Sequence, residues 1–158
     1  MDKKKIVIAA LIVIIAILAT FIAYQTLIPQ EKDIVINIDN ITFNTTNGTD
    51  FKLYNQTSGW KIYGSDNCTG RYTVQIVDYN KLEAAGLVKA QVLNIKDYPS
   101  QTVDGVVVYS DTAKIGDHVG EPRYVAIVEN MNINTDVILT SPDPNETAKM
   151  ALSLKFNK

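Results

Sequence analysis

The chain has 158 residues, 46% hydrophobic and 20% charged, with a formal net charge of −2. Its charges are unevenly spread: Ile6 to Gln30 carries none, whereas Glu31 to Lys158 carries 12 Lys+Arg against 16 Asp+Glu. An acidic body offers no positive field to displace counterions from phosphates, which excludes nucleic acid as the expected partner. A single Cys and a single His exclude an internal disulfide framework and most imidazole chemistry.

In chain order, residues 1–5 (MDKKK) form a short basic tail. Ile6 to Tyr24 follows, 19 residues whose only polar groups are the Thr20 hydroxyl and the Tyr24 phenol. As an α-helix, such a run approaches the hydrocarbon thickness of about 30 Å. Thr20 can return its hydroxyl to a carbonyl one turn earlier, which strands no polar group in lipid. A cleaved signal peptide has a shorter apolar region followed by small residues. Here Ala16 and Ala19 lie inside the run, and Thr26, Leu27, Ile28 and Pro29 make a poor cleavage site. The expectation is an uncleaved transmembrane signal-anchor helix over 6–28, with Tyr24 at the outer interface and a linker over 29–33. Lys3, Lys4 and Lys5 precede it and Glu31, Lys32 and Asp33 follow. The N-terminus is therefore expected in the cytoplasm and residues 34–158 outside the cell membrane, as one extracytoplasmic domain.

Within that domain, Val35, Ile36 and Ile38, then Asp39-Asn40, then Ile41 and Phe43 predict a hairpin, because Asp and Asn tolerate the positive φ of a tight turn. Asn44 to Asp50 reads as a polar loop with Asn47-Gly48 as its turn. Trp60 to Tyr63 predicts a short strand, and Arg71 to Tyr79 a longer, alternating one. Leu82 to Leu93 fits either period: Ala84, Val88 and Val92 stack as on a helix, while Val88, Ala90 and Val92 alternate as on a strand. A helix over Asn80 to Leu93 is the favoured reading. Val103 to Asp111, Arg123 to Glu129 and Ile133 to Thr140 predict three antiparallel strands. Asp143, Pro144 and Glu146 hold the capping, first and third positions of a closing helix that turns Met150, Ala151 and Leu154 to the sheet, with Ala148 and Leu152 beside them. The fold class is α+β, an antiparallel-sheet domain with a middle helix and a C-terminal helix packed on the sheet.

That order of elements, ending DVILTSPDPNETAKMALSLKF over Asp136 to Phe156, resembles the Mog1/PsbP-like α/β sandwich domains. With the N-terminal lysine cluster, the one helix and the opening IDNITFN (Ile38 to Asn44), the chain is also similar to small membrane-anchored archaeal proteins. The resemblance implies a sandwich over Val35 to Lys158. It implies no role, because members of that fold serve dissimilar ones.

Asn-Xaa-Ser/Thr occurs at Asn40, Asn44, Asn47, Asn55, Asn67 and Asn145, six sites where 13 Asn and 20 Ser+Thr would give one or two by chance. They are candidate N-glycosylation sites on an extracytoplasmic surface. Cys68 has no partner in the chain and reads as structural.

Catalytic signatures are lacking: there is no G-x-S-x-G turn, and the glycines are scattered. The expectation is a chain that is not an enzyme and carries no cofactor. Asp117, His118 and Glu121 form the one cluster with metal-ligand chemistry, so a metal-dependent envelope enzyme is the alternative. Tyr54, Trp60 and Tyr63 flank the polar loop and are a candidate recognition patch. The leading expectation is a membrane-anchored, non-enzymatic binding module that meets an envelope protein or glycan. A further alternative is a small accessory subunit of a membrane complex, contacting its partner through the helix.

Overall fold

The computed structural model describes residues 13–20, 32–46, 50–65, 71–83, 85–114 and 118–157. Residues 13–20 are helical (α1), and the Thr20 hydroxyl donates to the carbonyls of Ala16 at 3.0 Å and Ile17 at 2.8 Å, as expected for a polar residue in an apolar run. Among the described residues no helix is long and apolar enough to cross a membrane. The remainder of the expected 6–28 span lies outside them, as do Asn47, Asn67, Cys68 and Asp117.

The rest of the chain, Asp33 to Lys158, is a second compact unit. Its elements run β1 (Ile34–Ile38), β2 (Ile41–Thr45), β3 (Phe51–Thr57), β4 (Trp60–Ser65), β5 (Thr73–Asp78), α2 (Ala85–Ile95), β6 (Ser100–Val103), β7 (Val106–Thr112), β8 (Pro122–Asn130), β9 (Thr135–Ser141), α3 (Pro144–Ser153) and β10 (Lys155–Phe156). The class is α+β with antiparallel sheets. A small sheet has the order β1-β2-β10, and a seven-stranded sheet the order β3-β4-β5-β9-β8-β7-β6.

Turn chemistry sets the register. The hairpin expected from Val35 to Phe43 forms with Ile36 opposite Phe43 and runs on to Ile34 opposite Thr45, so Asn44 and Thr45 belong to β2 and not to the expected loop; Asp39 at its tip has φ 49°, which a short side chain tolerates. The single strand expected over 103–111 is instead split. Asp104 and Gly105 take φ 50° and 85° and close a hairpin between β6 and β7. Asp-Gly between β-branched residues is a strong two-residue turn signal, and both positions need the positive φ that Gly accepts freely. The polar-rich β3 has no counterpart in the expected elements. Six of its seven residues are exposed, so it carries no buried-face alternation. The middle helix forms, but over Ala85–Ile95 rather than Asn80–Leu93, because Asn80 and Lys81 belong to the turn after β5.

Alternation divides the large sheet into two faces. On one, Val74 and Ile76 of β5 and Val137 and Leu139 of β9 pack against Ile36, Ile38, Ile41 and Phe43 of the small sheet and Met150 of α3. On the other, Val77, Val125 and Ile138 meet Val88 and Val92 of α2, with Tyr79 beside them. The start of α3 follows the expected plan: the Asp143 carboxylate accepts from the N–H groups of Asn145 at 2.7 Å and Glu146 at 3.1 Å. Met150, Ala151 and Leu154 pack on the core as expected, and of the expected face only Leu152 turns away from it. Glu146, Thr147, Ala148 and Met150 are buried, whereas Leu152 is 59% exposed. Glu146 does not reach back as a capping box would; its carboxylate accepts from the Thr45 hydroxyl and from the Thr46 N–H and hydroxyl, both at 2.6 Å. That side chain therefore ties α3 to the end of β2 rather than to its own first turn.

Candidate functional site

The β1–β2 hairpin tip lies over the ends of strands from the large sheet. Lys61 and Tyr63, two residues apart on β4, face the same way, and both reach Asp39 in the tip. Lys61 Nζ lies 3.0 and 2.9 Å from the two carboxylate oxygens, and the Tyr63 hydroxyl donates to Oδ2 at 2.7 Å. Asp78 at the end of β5 forms a second pair with Lys81, 2.8 Å away, and accepts from the Asn80 N–H at 3.0 Å. These two ion pairs line an open cleft of about 530 Å³, together with Asn40, Gly59, Ile76 and Thr135.

Gly59 shapes one wall. Its φ is 80°, and a Cβ there would stand 2.6 Å from the Asp78 carbonyl oxygen, so no larger residue fits without moving that strand end. The Asp78 N–H donates to the Gly59 carbonyl at 2.7 Å, fixing the β3–β4 turn against the end of β5.

Electrostatics keep both carboxylates charged. Partial burial pushes the Asp39 carboxyl up, but the Tyr63 hydroxyl and Lys61 ammonium more than offset it and hold it below its ordinary 3.8. Burial and the neighbouring Asp39 charge push the Tyr63 phenol up, so it stays a donor. The Lys81 hydrogen bond, with help from Asn80, lowers Asp78 against a smaller opposing effect of burial. With both carboxylates ionised and paired to ammonium groups, the cleft presents fixed charges of both signs.

The aromatic trio does not assemble into one patch. Trp60 sits opposite Val77 and Tyr63 opposite Val74, so the two lie on opposite faces of the sheet. Trp60 packs on the α2 side and donates from Nε1 to the Gln75 side chain at 3.2 Å. Tyr54 is 61% exposed at the β-bulge between Leu53 and Asn55 on the edge strand β3. Of the three, Tyr63 alone is tied to a lining residue of the cleft, through its hydrogen bond to Asp39. Of the sequons, Asn40, Asn55 and Asn145 are exposed and Asn44 is half-buried.

At the other end of the sheet, His118 Nδ1 lies 2.9 Å from Glu121 Oε1, and Arg71 Nε lies 3.3 Å from Glu121 Oε2. His118, then Arg71, hold the Glu121 carboxyl below its ordinary value. Glu121 is thus engaged by cationic and donor groups, and the described residues contain no group of three His, Cys, Asp or Glu arranged for a metal ion.

The cleft was not legible from spacing, because Asp39, Lys61 and Lys81 meet only through the sheet. The usable signal was Asp39 itself, read as a turn former and not as an anion. Comparison with protein-family models and with curated proteins found no match for the chain.

Proposed function

We propose that this chain is a single-pass membrane protein, anchored by residues 6–28 with its N-terminus cytoplasmic, that presents a non-enzymatic binding domain outside the cell. Its ligand is a charged segment of another envelope protein, held in the cleft beneath the Asp39-Asn40 turn. The observation that carries the binding role is the convergence of two ion pairs, Lys61–Asp39 and Lys81–Asp78, on one open cavity of about 530 Å³. Both pairs are solvent-accessible, so an incoming carboxylate or ammonium can replace a partner at little net electrostatic cost. The apolar run with Lys3, Lys4 and Lys5 before it supports the anchor and its orientation. Exposed Asn40, Asn55 and Asn145 are available to a host that N-glycosylates. The likeness to the Mog1/PsbP-like sandwiches belongs to the same proposal.

The test uses a photo-crosslinking residue at Asn40 in the full chain displayed on intact cells, with the same residue at Asp50, exposed before the far end of β3, as the remote control. The expected result is a discrete adduct from position 40 alone, lost when Asp39→Asn and Lys61→Met are combined. Equal labelling from both positions overturns the cleft as the binding site. Protease added to unbroken cells should remove the domain; survival of residues 34–158 overturns the orientation.

A further inference from the structure

Strand β7 divides its pairing between two neighbours. Val106 to Tyr109 pair with Val103 to Ser100 of β6, and Tyr109 to Thr112 pair with Val125 to Pro122 of β8. If the β7–β8 register continued, Val107 would face Ile127 and Val106 would face Val128. Those four residues instead line a cavity of about 410 Å³. The sheet therefore forks, with β8 still paired to β9 on its other side from Tyr124 to Asn130. One bank is the β7 edge at Val106 and Val107, and the other is the β8 edge over 127–129; Val108 and Ala126, fully buried, close the apex of the fork.

We propose that this fork is a strand-addition site for an extended, uncharged, apolar segment of a partner polypeptide. Two strand edges without ladder partners present main-chain donors and acceptors to the slot. An extended peptide satisfies such groups in regular alternation, whereas an acyl chain offers none. The slot is apolar towards both faces of the sheet: Val128 and Ala151 adjoin the α3-side core, and Tyr109 and Ile127 the α2-side core. Successive side chains of an inserted strand would therefore both enter apolar surroundings. Charge complementarity selects a neutral segment, because the charged residues lining the slot among the described residues, Lys96 and Glu129, neutralise each other at 2.6 Å. The β8 bank limits the paired stretch to about three residues, roughly 10 Å of strand. The sheet's outer edge at β3 is blunted by its bulge and by the Lys52–Asp50 pair, which disfavours addition there. The fork shares no lining residue with the Asp39 cleft, so either assignment can fail without the other.

The test titrates the full chain in detergent micelles with an acetylated and amidated Val-Ala-Val-Ala-Val peptide and follows amide hydrogen exchange. The slot-facing amides of Val107, Ile127 and Glu129 should exchange freely in the protein alone and slow at least about tenfold at saturating peptide. Val107→Trp should abolish the slowing, and so should Ala151→Leu from the other face, while Asp39→Asn leaves it intact. Val107 is 46% exposed, so a bulky residue there fills the slot without entering the core. The proposal is overturned if those amides are already slow without peptide, or if neither this peptide nor its Ile-Ala and Leu-Ala counterparts slows them. It is equally overturned if the slowing falls on the outer edges of β1, β3 or β6. Slowing that grows with protein concentration alone would make a second copy the occupant and also overturn it.

Discussion

The two faces of the seven-stranded sheet are covered to different depths. On the face that meets the small sheet and α3, Ile41, Phe43, Val74, Val137, Leu139 and Met150 are all fully buried. On the other, α2 contributes only Val88 and Val92 as buried residues and leaves Leu87 72% and Leu93 48% exposed. Burial of apolar area is the main favourable contribution to folding, so the first face holds the domain together and the second follows it. The difference teaches that the helix whose period was hardest to read is also the one the fold depends on least.

That contrast can be broken by experiment. Phe43→Ala removes the largest fully buried side chain and should cost about 3–5 kcal/mol in denaturant unfolding. Glu146→Ala takes the shared acceptor from Thr45 and Thr46 and should cost about 2–3 kcal/mol, with Glu146→Gln recovering part of it. Val92→Ala, under α2, should cost about 1.5 kcal/mol or less. A loss from Val92→Ala equal to that from Phe43→Ala would erase the distinction between the faces. Gly59→Ala should cost about 1 kcal/mol or more through its positive φ and the approach to Asp78, and it should also narrow the cleft.

The smallest expected effect sharpens the electrostatic side. The folded Asp39 carboxyl lies below its ordinary 3.8, so its contribution is present above that value and is lost as the pH falls through the lowered one. Lys61→Met removes the ammonium and leaves only the Tyr63 hydroxyl. Less stability should then remain to be lost on acidification, by under about 1 kcal/mol, and thermal unfolding followed from pH 6 to pH 2 reads it. An unchanged acid limb would mean that Tyr63 alone sets the Asp39 proton affinity.

How much was legible follows from what kind of information each element needs. The hairpin from Val35 to Phe43, the β8 and β9 strands and the Asp143 cap are local patterns, and the structure has each of them. The β6–β7 turn was equally local, since Asp104-Gly105 is a plain signal, and a continuous Val-rich reading overran it. β3 lacked a signal because an exposed edge strand needs no apolar alternation. The destination of Glu146 could not be read at all: a capping-box position and a tie to β2 look the same until the small sheet is placed beside α3. The cleft and the fork are of that last kind, created by pairings between residues distant in the chain.

The small sheet also sets how the domain answers a pull. β1 and β10 flank β2 and run parallel to each other, so the chain arrives at one end of this sheet and leaves at the other. Tension between Asp33 and Asn157 loads both ladders in shear, five residue pairs on the β1 side against two on the β10 side. The Asn157 bonds to Asn40 and Thr42 reinforce the weaker ladder only locally. Stretching should therefore strip β10 first and leave β1 seated, so a domain hauled from both ends gives way at its C-terminal strand before its N-terminal one.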